Sequence, residues 1–510
     1  MRGCRPSTIK FYIPRIRLFV LFIIQILIVS LSVTALLLSI SIFLLRGRFS
    51  YSWRNLRTNS GEDGFPCEFR LSNSLRSKES AVRNLTSKSL IIIRSVLLRQ
   101  HSGLYLKILF LKKCETNVSD IRLQIDLKQI LCPVIKHIES DDCPWDWASG
   151  CTWSSFIGTA RLDSVPGHIH LNFNGNAIGL HLEPSHNIEK LLFAVCIQPF
   201  YCISLYISKR YVDWLQIIEF IEIWMSQGVS HFFIYFYTVS QPVMDILQYY
   251  EGKGIVTLLP WKSFPIGENE NPNKDVYRLA HSLANNDCLW RSQGARFVAF
   301  VDLDEYILTT SGVPLVAFIE KKAELCPRCG SFAVIHRKMY YSSPRPRNDF
   351  YWHDVRFEWL TNISYGLPER DGPHKQIVRP ETVSIISTHS TRKSYSGYID
   401  VNLNSSEILL LHVSHKWSEI NLPLNNVTTS SSFFINALSS LNMAFHEIGQ
   451  LLFKNKTVRI DRMLQMEIAK CINQWHINKC KSIDQCRTRI VNQTIWIRAD
   501  DFSSDEHQLV

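Results

Sequence analysis

The residues best suited to chemistry stand at 302–305, where the chain reads Asp302-Leu303-Asp304-Glu305. Five apolar residues, Phe297–Val301, precede them and predict a buried strand. Ligands of open α/β sheets bind outside the carboxyl ends of the strands. In extended backbone Asp302 and Asp304 point to the same side, and paired carboxylates suit a hard divalent cation. The alternative interpretation is a polar strand end whose acids cap the next helix.

A basic pair stands further along the chain. Lys375 and Arg379 flank Ile377 and Val378 in a predicted strand, and four residues apart they share a face of it. An ammonium and a guanidinium on one face could bind phosphate as a point charge and a fork. The alternative is a solvated face at the edge of a sheet.

Thirteen of the fourteen cysteines lie between Cys67 and Cys486, and Cys4 stands apart near the start. Disulfides in an oxidising compartment are the simplest interpretation. Cys326 and Cys329 have the spacing of half a zinc site, but no second pair stands at ribbon spacing. Because thirteen is odd, at least one thiol is expected to be free or intermolecular. Sequence does not give the pairings.

One apolar stretch precedes this body. Residues 18–45 carry no charge and no proline, and they are long enough to cross a hydrocarbon core of about 30 Å. A cleaved signal peptide has a shorter apolar core, so the stretch predicts an uncleaved transmembrane signal anchor. Residues 1–17 are then a short tail, and residues 46–66 a polar stem. Basic residues on both sides leave the orientation undecided by charge.

Glycosylation sequons decide the orientation better. Seven of them follow the apolar stretch and none precedes it; they begin at Asn84, Asn117, Asn362, Asn404, Asn426, Asn455 and Asn492. Such a one-sided distribution predicts a lumenal or extracellular body behind a cytoplasmic tail, a single-pass type II topology.

Composition sets wider limits. A chain of 510 residues is too long for one ordinary core, so two or three domains are expected. Its 46% hydrophobic and 20% charged residues are globular values. The net charge of +11 favours acidic ligands or anionic membranes. The sequence has no zinc-finger spacing and no RNA-binding motif, so no nucleic-acid partner is predicted.

Short apolar runs separated by turn residues fill positions 67–195 and predict a β-rich N-terminal domain. The predicted strands are Ser89–Leu98, Leu104–Leu111, Ile121–Ile130, Ile169–Phe173 and Leu191–Ile197. Trp145, Trp147 and Trp153 are crowded together near cysteines. They are either a sugar-stacking platform or, as is more usual for aromatics near cysteines, part of a core.

Strands and helices alternate from residue 196 onward. The predicted elements are strand Cys202–Ile207, helix Tyr211–Gln227, strand Phe232–Tyr237, helix Val243–Tyr250, strand Ile255–Leu259, helix Val276–Arg291 and strand Phe297–Val301. This order predicts a parallel doubly wound sheet, an α/β fold over residues 196–440. The sequence has neither a dinucleotide-binding glycine motif nor a P-loop. Residues 441–510, with a helical run at Asp461–Ile472, form a predicted helical C-terminal cap.

A series of short motifs in fixed order resembles a known family. They are Cys202-x-x-Leu205-Tyr206, Trp214…Glu219, Gly228–Tyr235, Tyr249–Val256, Pro260-Trp261, Asn286–Leu289, Val298–Glu305, Lys375–Glu381 and Leu411-His412. The set covers roughly residues 196–420 and is similar to glycosyltransferase family 92, formerly domain of unknown function 23. The resemblance rests on the order of the motifs, since no single one is decisive.

The resemblance implies a GT-A fold, a Rossmann-like sheet in which an Asp-x-Asp motif holds Mn²⁺ against the diphosphate of a nucleotide sugar. Characterised members transfer galactose from UDP-galactose with inversion, so the expected partners are a UDP-sugar donor and a glycan or glycoprotein acceptor. A type II anchor and a stem are usual for transferases of the Golgi membrane. Here Asp302 and Asp304 match the Asp-x-Asp motif.

Further roles follow from the resemblance. His412 is expected to complete the metal shell, with His389 as a second candidate. Glu305 either orients the donor or caps the next helix. Lys375 and Arg379 are expected to contact phosphate or acceptor, and Asp287 either reaches the donor sugar or pairs locally.

An inverting transferase needs a general base for the acceptor hydroxyl. Asp371 is the first choice, in the loop Pro368–Pro373, with Glu369 and Asp354 as alternatives. Acids in such loops are usually only turn formers.

Two positions depart from the family pattern. Phe236–Ser240 stands where members often have Asp or Asn with Ser, and Val413-Ser414 stands where many have Tyr-Arg. The alternative function is therefore an inactive lumenal glycan-binding protein on a transferase fold. The intact Asp302-x-Asp304 pair argues against it, because a binding module needs no metal-diphosphate site. A receptor ectodomain is disfavoured by the mixed α/β pattern.

Overall fold

The computed structural model describes residues 89–100, 103–126, 129–183, 190–200, 214–341, 343, 345, 350–369, 372–413, 428–430, 432–453, 457–458, 480–482, 495–502 and 508–509. The predicted tail, span and stem, residues 1–66, lie outside these ranges, as do the predicted strand Cys202–Ile207 and helix Asp461–Ile472. Within them, no helix combines the length and the hydropathy needed to cross a membrane.

The first part of the described chain consists mainly of strands. They are β1 (Leu90–Gln100), β2 (Gly103–Lys113), β3 (Arg122–Ile125), β4 (Gln129–Leu131), β5 (Val134–His137), β6 (Trp153–Leu162), β7 (Ile169–Phe173), β8 (Asn176–Gly179), β9 (Leu182–Glu183) and β10 (Leu191–Phe200).

Helices and strands then alternate. They are α1 (Trp214–Ser226), β11 (His231–Phe236), β12 (Thr238–Ser240), α2 (Gln241–Gly252), β13 (Val256–Pro260), α3 (Pro272–Asp275), α4 (His281–Arg291), β14 (Ala295–Val301), β15 (Glu305–Thr309), α5 (Leu315–Leu325) and β16 (Cys329–Tyr341).

The last part returns to short strands around one helix. They are β17 (Phe350–Tyr351), β18 (Ile363–Tyr365), β19 (His374–Val378), β20 (Val383–Ile386), β21 (Thr391–Ser394), β22 (Ile399–Asn402), β23 (Ile408–Val413), β24 (Thr428–Ser430), α6 (Ile435–Ile448), β25 (Thr457–Val458), β26 (Trp496–Arg498) and β27 (Gln508–Leu509).

The N-terminal strands form two sheets, as the sequence predicts for a β-rich region. One has the order β27-β1-β2-β6-β5 with β9 beside β1, and the other has the order β4-β3-β7-β8. Alternate residues of β1 and β2 serve two cores. Ile92 and Leu106 belong to the core shared with the small sheet, whereas Ile91 and Leu109 belong to a core shared with α4 and β14. Both faces of the larger sheet are therefore buried, which is why its strands are almost continuously apolar.

The central sheet has the order β13-β11-β10-β14-β19-β16-β18-β24. Strands β13, β11, β10 and β14 run parallel, whereas β19 lies antiparallel between β14 and β16. Helices α1 and α2 pack on one face and α4 on the other, each contributing buried residues to a separate core. The Rossmann-like α/β part of the prediction is confirmed, but the sheet as a whole is mixed rather than parallel.

Strand β10 lies at the centre of the parallel part, between β11 and β14. The domain boundary predicted at 195–196 falls inside this strand. Its apolar run, Leu191–Phe200, is thus the first strand of the α/β sheet.

Four disulfides connect described cysteines, and Cys132 is also in a disulfide. The four are Cys114–Cys143, Cys151–Cys480, Cys196–Cys288 and Cys326–Cys329. The Cys196–Cys288 bond fixes α4 to β10. The Cys326–Cys329 bond uses both thiols that a half zinc site would require.

Candidate active site

A tight turn, not extended backbone, follows β14. The Glu305 N–H donates to the Asp302 carbonyl over 3.0 Å, and the Asp302 N–H donates to the Glu305 carboxylate over 2.8 Å. The extended geometry predicted for Asp302 and Asp304 is therefore wrong, and the two side chains have different partners. The helix-capping alternative for Glu305 is also wrong, because Glu305 begins strand β15.

Lys375 joins two of these acids. Its strand, β19, runs antiparallel to β14, with Val378 opposite Val298, so its first residues lie beside the carboxyl end of β14. The Lys375 ammonium is 3.1 Å from Asp302 and 3.3 Å from Glu305. Only 1% of the lysine side chain is exposed, so the alternative of a solvated face is wrong for Lys375.

The opposite charges in this group stabilise one another in their ionised forms. Burial opposes the charge of Lys375, but Asp302 and Glu305 outweigh it and raise the lysine pKa. Burial likewise opposes the charge of Asp302, and Lys375 followed by Arg278 outweighs it, so the Asp302 pKa is well below its usual range. Lys375 therefore favours the ionised form of both acids, of which Glu305 is fully buried and Asp302 is partly exposed.

Asp304 pairs with the predicted late histidine. Strands β15 and β23 run antiparallel with Glu305 opposite His412, and the Val413 N–H donates to the Asp304 carbonyl over 2.9 Å. His412 Nε2 lies 2.8 Å from the Asp304 carboxylate. Two members of the predicted metal set, Asp304 and His412, are thus adjacent, while the third, Asp302, contacts Lys375.

His336 is a member of the site that sequence reasoning missed. Strand β16 runs parallel to β23, which places the His336 and His412 rings 5.1 Å apart. His336 Nε2 is 2.6 Å from Glu305 Oε1. The only signal in the sequence is a histidine within an apolar strand, and that pattern is usual for a core residue.

The side chains of Glu305, His336 and His412 fit the ligand set of a divalent metal. One ligand atom each from Glu305, His336 and His412 lies within 4.8 Å of the other two. Glu305 Oε1 and His336 Nε2 are buried and contact each other, but among the described residues neither makes a hydrogen bond of good geometry. Buried polar atoms are seldom left without a hydrogen bond, and those that are can mark the place of an ion. Carboxylate and imidazole donors together suit divalent first-row ions.

One arginine, Arg278, lies within electrostatic range of Asp302 and belongs to a strained segment of backbone. Arg278, Leu279 and Ala280 have positive φ angles of 45°, 51° and 58° immediately before α4. A non-glycine residue with left-handed backbone angles costs conformational free energy, and such residues tend to cluster at functional sites. The Trp261 indole donates to the Leu279 carbonyl over 2.9 Å, which supports the strained backbone. Arg278 lowers the pKa of Asp302 after Lys375 does.

Two further histidines adjoin the group. Burial, then Lys375, lowers the pKa of His389 to about 3, and its Nδ1 lies 3.4 Å from the His374 carbonyl. Burial also lowers the pKa of His281, and Arg278 lowers it further. Asp302 opposes both shifts. Both rings are therefore neutral near pH 7.

Asp287 lies in a different place. Its carboxylate pairs with Arg94 and, over 2.8 Å, with Arg291, and it accepts a hydrogen bond of 2.5 Å from Tyr235. Burial opposes ionisation, but Arg291 and Arg94 outweigh it and lower the Asp287 pKa to about 2. Local pairing accounts for this residue.

Arg379 is also engaged elsewhere. Its guanidinium pairs with Glu381 at 2.9 Å and donates to the Pro327 carbonyl over 2.9 Å. Lys375 alone of the predicted basic pair therefore contacts the acids.

The predicted base, Asp371, lies outside the described residues, but the residues on either side of it are anchored at the site. The Glu369 N–H donates to the His336 carbonyl over 2.9 Å, and the His336 N–H donates to the Pro373 carbonyl over 3.3 Å. The alternative acid Asp354 lies 3.5 Å from His353 and is 64% exposed.

Comparison with protein families gives a match that spans more than half of the chain. The model of glycosyltransferase family 92 matches residues 192–496, a range that contains every site residue named above. This chain belongs to glycosyltransferase family 92. The expectation drawn from the ordered motifs is confirmed.

A family 92 relative is similar over part of the chain. Glycosyltransferase family 92 protein F13G3.3 of Caenorhabditis elegans is 27% identical over 163 residues. The similarity covers 31% of this chain and 30% of that protein.

Solved structures are similar only at a low level. A Bacillus anthracis glucose-1-phosphate thymidylyltransferase with sucrose has 9% identity and a TM-score of 0.20, covering 37% of this chain and 72% of its own. A UDP-glucose pyrophosphorylase with UDP-glucose has 8% identity and a TM-score of 0.19, covering 50% and 99%. At such scores neither carries an argument.

Proposed function

We propose that this family 92 protein transfers a hexose, galactose from UDP-galactose, with inversion to a hydroxyl of a glycan or glycoprotein, in the lumen of the Golgi. The observation that carries the proposal is the cluster at the end of β14, where Asp302, Asp304 and Glu305 meet Lys375 and His412. Such a cluster at the carboxyl end of a parallel strand lies where α/β sheets bind ligands.

In the proposed reaction the acceptor oxygen bonds to the anomeric carbon of the donor, and the bond from that carbon to the diphosphate oxygen breaks. UDP leaves with the electron pair, and a general base takes the acceptor proton. Asp371 remains the proposed base, supported by the anchoring of Glu369 and Pro373 to His336.

Asp304 and His412, with Glu305 and His336, would hold a divalent cation, Mn²⁺ in this proposal. When bound, the cation supplies positive charge that stabilises the leaving diphosphate. Lys375 keeps Asp302 and Glu305 ionised and in place. Arg278 adds positive charge that acts on Asp302.

The test is transfer from a panel of UDP-sugars to defined N-glycans, with Mn²⁺ or with chelator. We expect UDP-galactose to be used, and Asp304→Asn to lower turnover by about 100-fold or more, the scale of several kcal/mol of charge stabilisation. Asp163→Asn, in an exposed loop after β6, is the matched control and should retain full turnover.

Full activity of Asp304→Asn, or of the wild-type protein in chelator, would contradict the metal-assisted mechanism. UDP binding measured with and without Mn²⁺ distinguishes a transferase from the glycan-binding alternative, since only the transferase requires the nucleotide site.

A further inference from the structure

We propose that Trp147 is a binding surface for one pyranose ring of the acceptor glycan. The inference rests on the proposed function and extends it, because it assigns the acceptor a site outside the acid cluster. The binding surface is the indole ring of Trp147, which stacks on the ring of Trp145. We name these two stacked rings the indole platform.

The indole platform is supported by ring packing on one side, and Trp147 is exposed to solvent. The rings of Trp145 and Trp147 stack with centroids 5.4 Å apart and planes inclined by 18°. Trp145 is backed by Tyr277, which meets it edge-on at 5.7 Å. Trp147 is 51% exposed, whereas Trp153, the third tryptophan of this stretch, is 2% exposed and part of a core. The core interpretation thus holds for Trp153 and fails for Trp147.

The segment that carries the platform is fixed on both sides. Cys143 is bonded to Cys114, and Cys151 is bonded to Cys480. Between them, the Ala148 N–H donates to the Trp145 carbonyl over 2.8 Å. A surface that is ordered before its ligand arrives avoids part of the entropic cost of binding.

Two series of side-chain contacts place the platform near the acid cluster. Trp147 lies 5.3 Å from the ring of His389, which contacts the carbonyl of His374, the residue next to Lys375. Tyr277, behind Trp145, lies 5.4 Å from the ring of His281. The charge of Asp302 acts on both histidines, which places both rings within electrostatic range of the acid cluster.

A pyranose ring matches such a surface. One side of the ring presents C–H groups that cover an apolar aromatic face, while its hydroxyls project outward to polar partners. Ligand sites typically combine aromatic walls with a few polar groups, and His389 supplies a polar group beside Trp147.

The acceptor is a better occupant than the donor. The acid cluster lies inside residues 192–496, the part of the chain that family 92 shares, whereas Trp145 and Trp147 lie before it. Donor activation requires the shared acids. A surface outside the shared region therefore suits the other substrate, the acceptor.

The test uses the full-length protein with Trp147→Ala and Trp147→Phe. We expect Trp147→Ala to raise the KM for a defined N-glycan by roughly tenfold, the scale of an aromatic contact of about 1.4 kcal/mol. The kcat and the Kd for UDP, measured by calorimetry with Mn²⁺, should stay within about twofold. Trp147→Phe should restore most of the acceptor affinity. Tyr351→Ala, which removes another exposed aromatic ring, is the matched control.

The outcomes separate the possibilities. A weaker Kd for UDP in Trp147→Ala would assign the platform to the nucleotide and overturn the proposal, and so would an unchanged acceptor KM. Direct titration of the N-glycan distinguishes this proposal from the proposed function. A wild-type protein that binds glycan through Trp147 but transfers no sugar would contradict the transferase assignment alone.

Discussion

Lys375 is the residue on which the charge balance of the site depends. Its ammonium is buried and lies within 3.3 Å of two carboxylates, the buried Glu305 and the partly exposed Asp302. A buried ion pair contributes little over an apolar replacement of both partners, but removal of one partner leaves an uncompensated buried charge.

We therefore expect Lys375→Met to lower the free energy of unfolding by about 3–5 kcal/mol. Adding Glu305→Gln to Lys375→Met should recover part of the loss, because one of the two unpaired charges disappears. Arg379→Leu is the matched control and should cost less than about 1 kcal/mol, since Arg379 pairs with Glu381 near the surface. Urea unfolding measures all three. Equal losses for Lys375→Met and Arg379→Leu would contradict this account.

The sequence predicts this site only in part, and the limit is physical. Asp302, Asp304 and Glu305 stand together in the chain, so their spacing is visible. His412 and Lys375 are visible through family motifs. His336 is not, because it reaches Glu305 only after β16 pairs with β23, and no local pattern specifies that register. Strand pairing over such distances is set by the whole fold.

Among the elements, α1 shows a close agreement between sequence and structure. The sequence predicts a helix that ends at Gln227, and Gly228, two residues after the last helical residue Ser226, has a φ of +92°. Glycine enters this region without the strain that a side chain would add. A Cβ at Gly228 would also overlap the side chain of Val316, next to the start of α5.

We expect Gly228→Ala to lower the free energy of unfolding by about 1–3 kcal/mol, from left-handed strain and from overpacking against Val316. Gly252→Ala is the matched control. Gly252 lies at the end of α2, where an added Cβ would meet no atom within 4 Å, so the substitution should be neutral within about 0.5 kcal/mol. Thermal unfolding of both variants is the measurement, and equal midpoints would contradict the role assigned to Gly228.

Other elements are less visible from sequence. Strand β6 (Trp153–Leu162) is absent from the predicted strands, because small residues such as Ser154, Ser155 and Gly158 interrupt its apolar pattern. Its partner β2 defines it, with ten residue pairs from Leu104–Leu162 to Lys113–Trp153. Helices α1 and α2 and the parallel strands of the α/β part are predicted well, since each has a strong local period. The predicted helix Val276–Arg291 is wrong in its first part, because the backbone is left-handed at Arg278–Ala280 and the α-helix begins at His281.

At the scale of the whole molecule, Asp287 joins the two halves. It lies on α4 of the central sheet and pairs with Arg94 of β1 in the N-terminal sheet. The contact is fully buried, and Arg291 and Tyr235 complete it. This carboxylate is therefore a structural link between the sheets.

We expect this link to make stability depend on pH in the acid range. The folded pKa of Asp287, about 2, lies below the ordinary value near 4. As pH falls from about 4 to about 2, the unfolded chain binds a proton before the folded protein does, so the contribution of Asp287 is present above pH 4 and lost below. Asp287→Asn should be less stable at pH 6 and should lose less stability between pH 4 and pH 2.

Urea unfolding at several pH values tests this expectation, with Asp245→Asn, on the partly exposed face of α2, as the control. The folded fraction of Asp287→Asn should keep its KM for UDP-galactose. A raised KM would return Asp287 to the donor site.

The predicted lumenal topology has its own test. Three sequon asparagines, Asn117, Asn362 and Asn404, belong to the described chain, and all three are exposed. Exposure is what a glycan requires. We expect N-glycosidase treatment of the full-length protein to lower its mass, and Asn404→Gln to remove one glycan step. A protein with no mass change would contradict the proposed orientation.

The Cys151–Cys480 bond joins residues that are 329 positions apart. It closes a covalent ring that contains the whole acid cluster and every described strand of the central sheet. A single cut by a protease anywhere inside this ring would leave both pieces attached until a reductant separated them. The same ring cannot close during synthesis until residue 480 has been added to the chain. The acid cluster is thus enclosed covalently only after the whole segment from Cys151 to Cys480 has been synthesised.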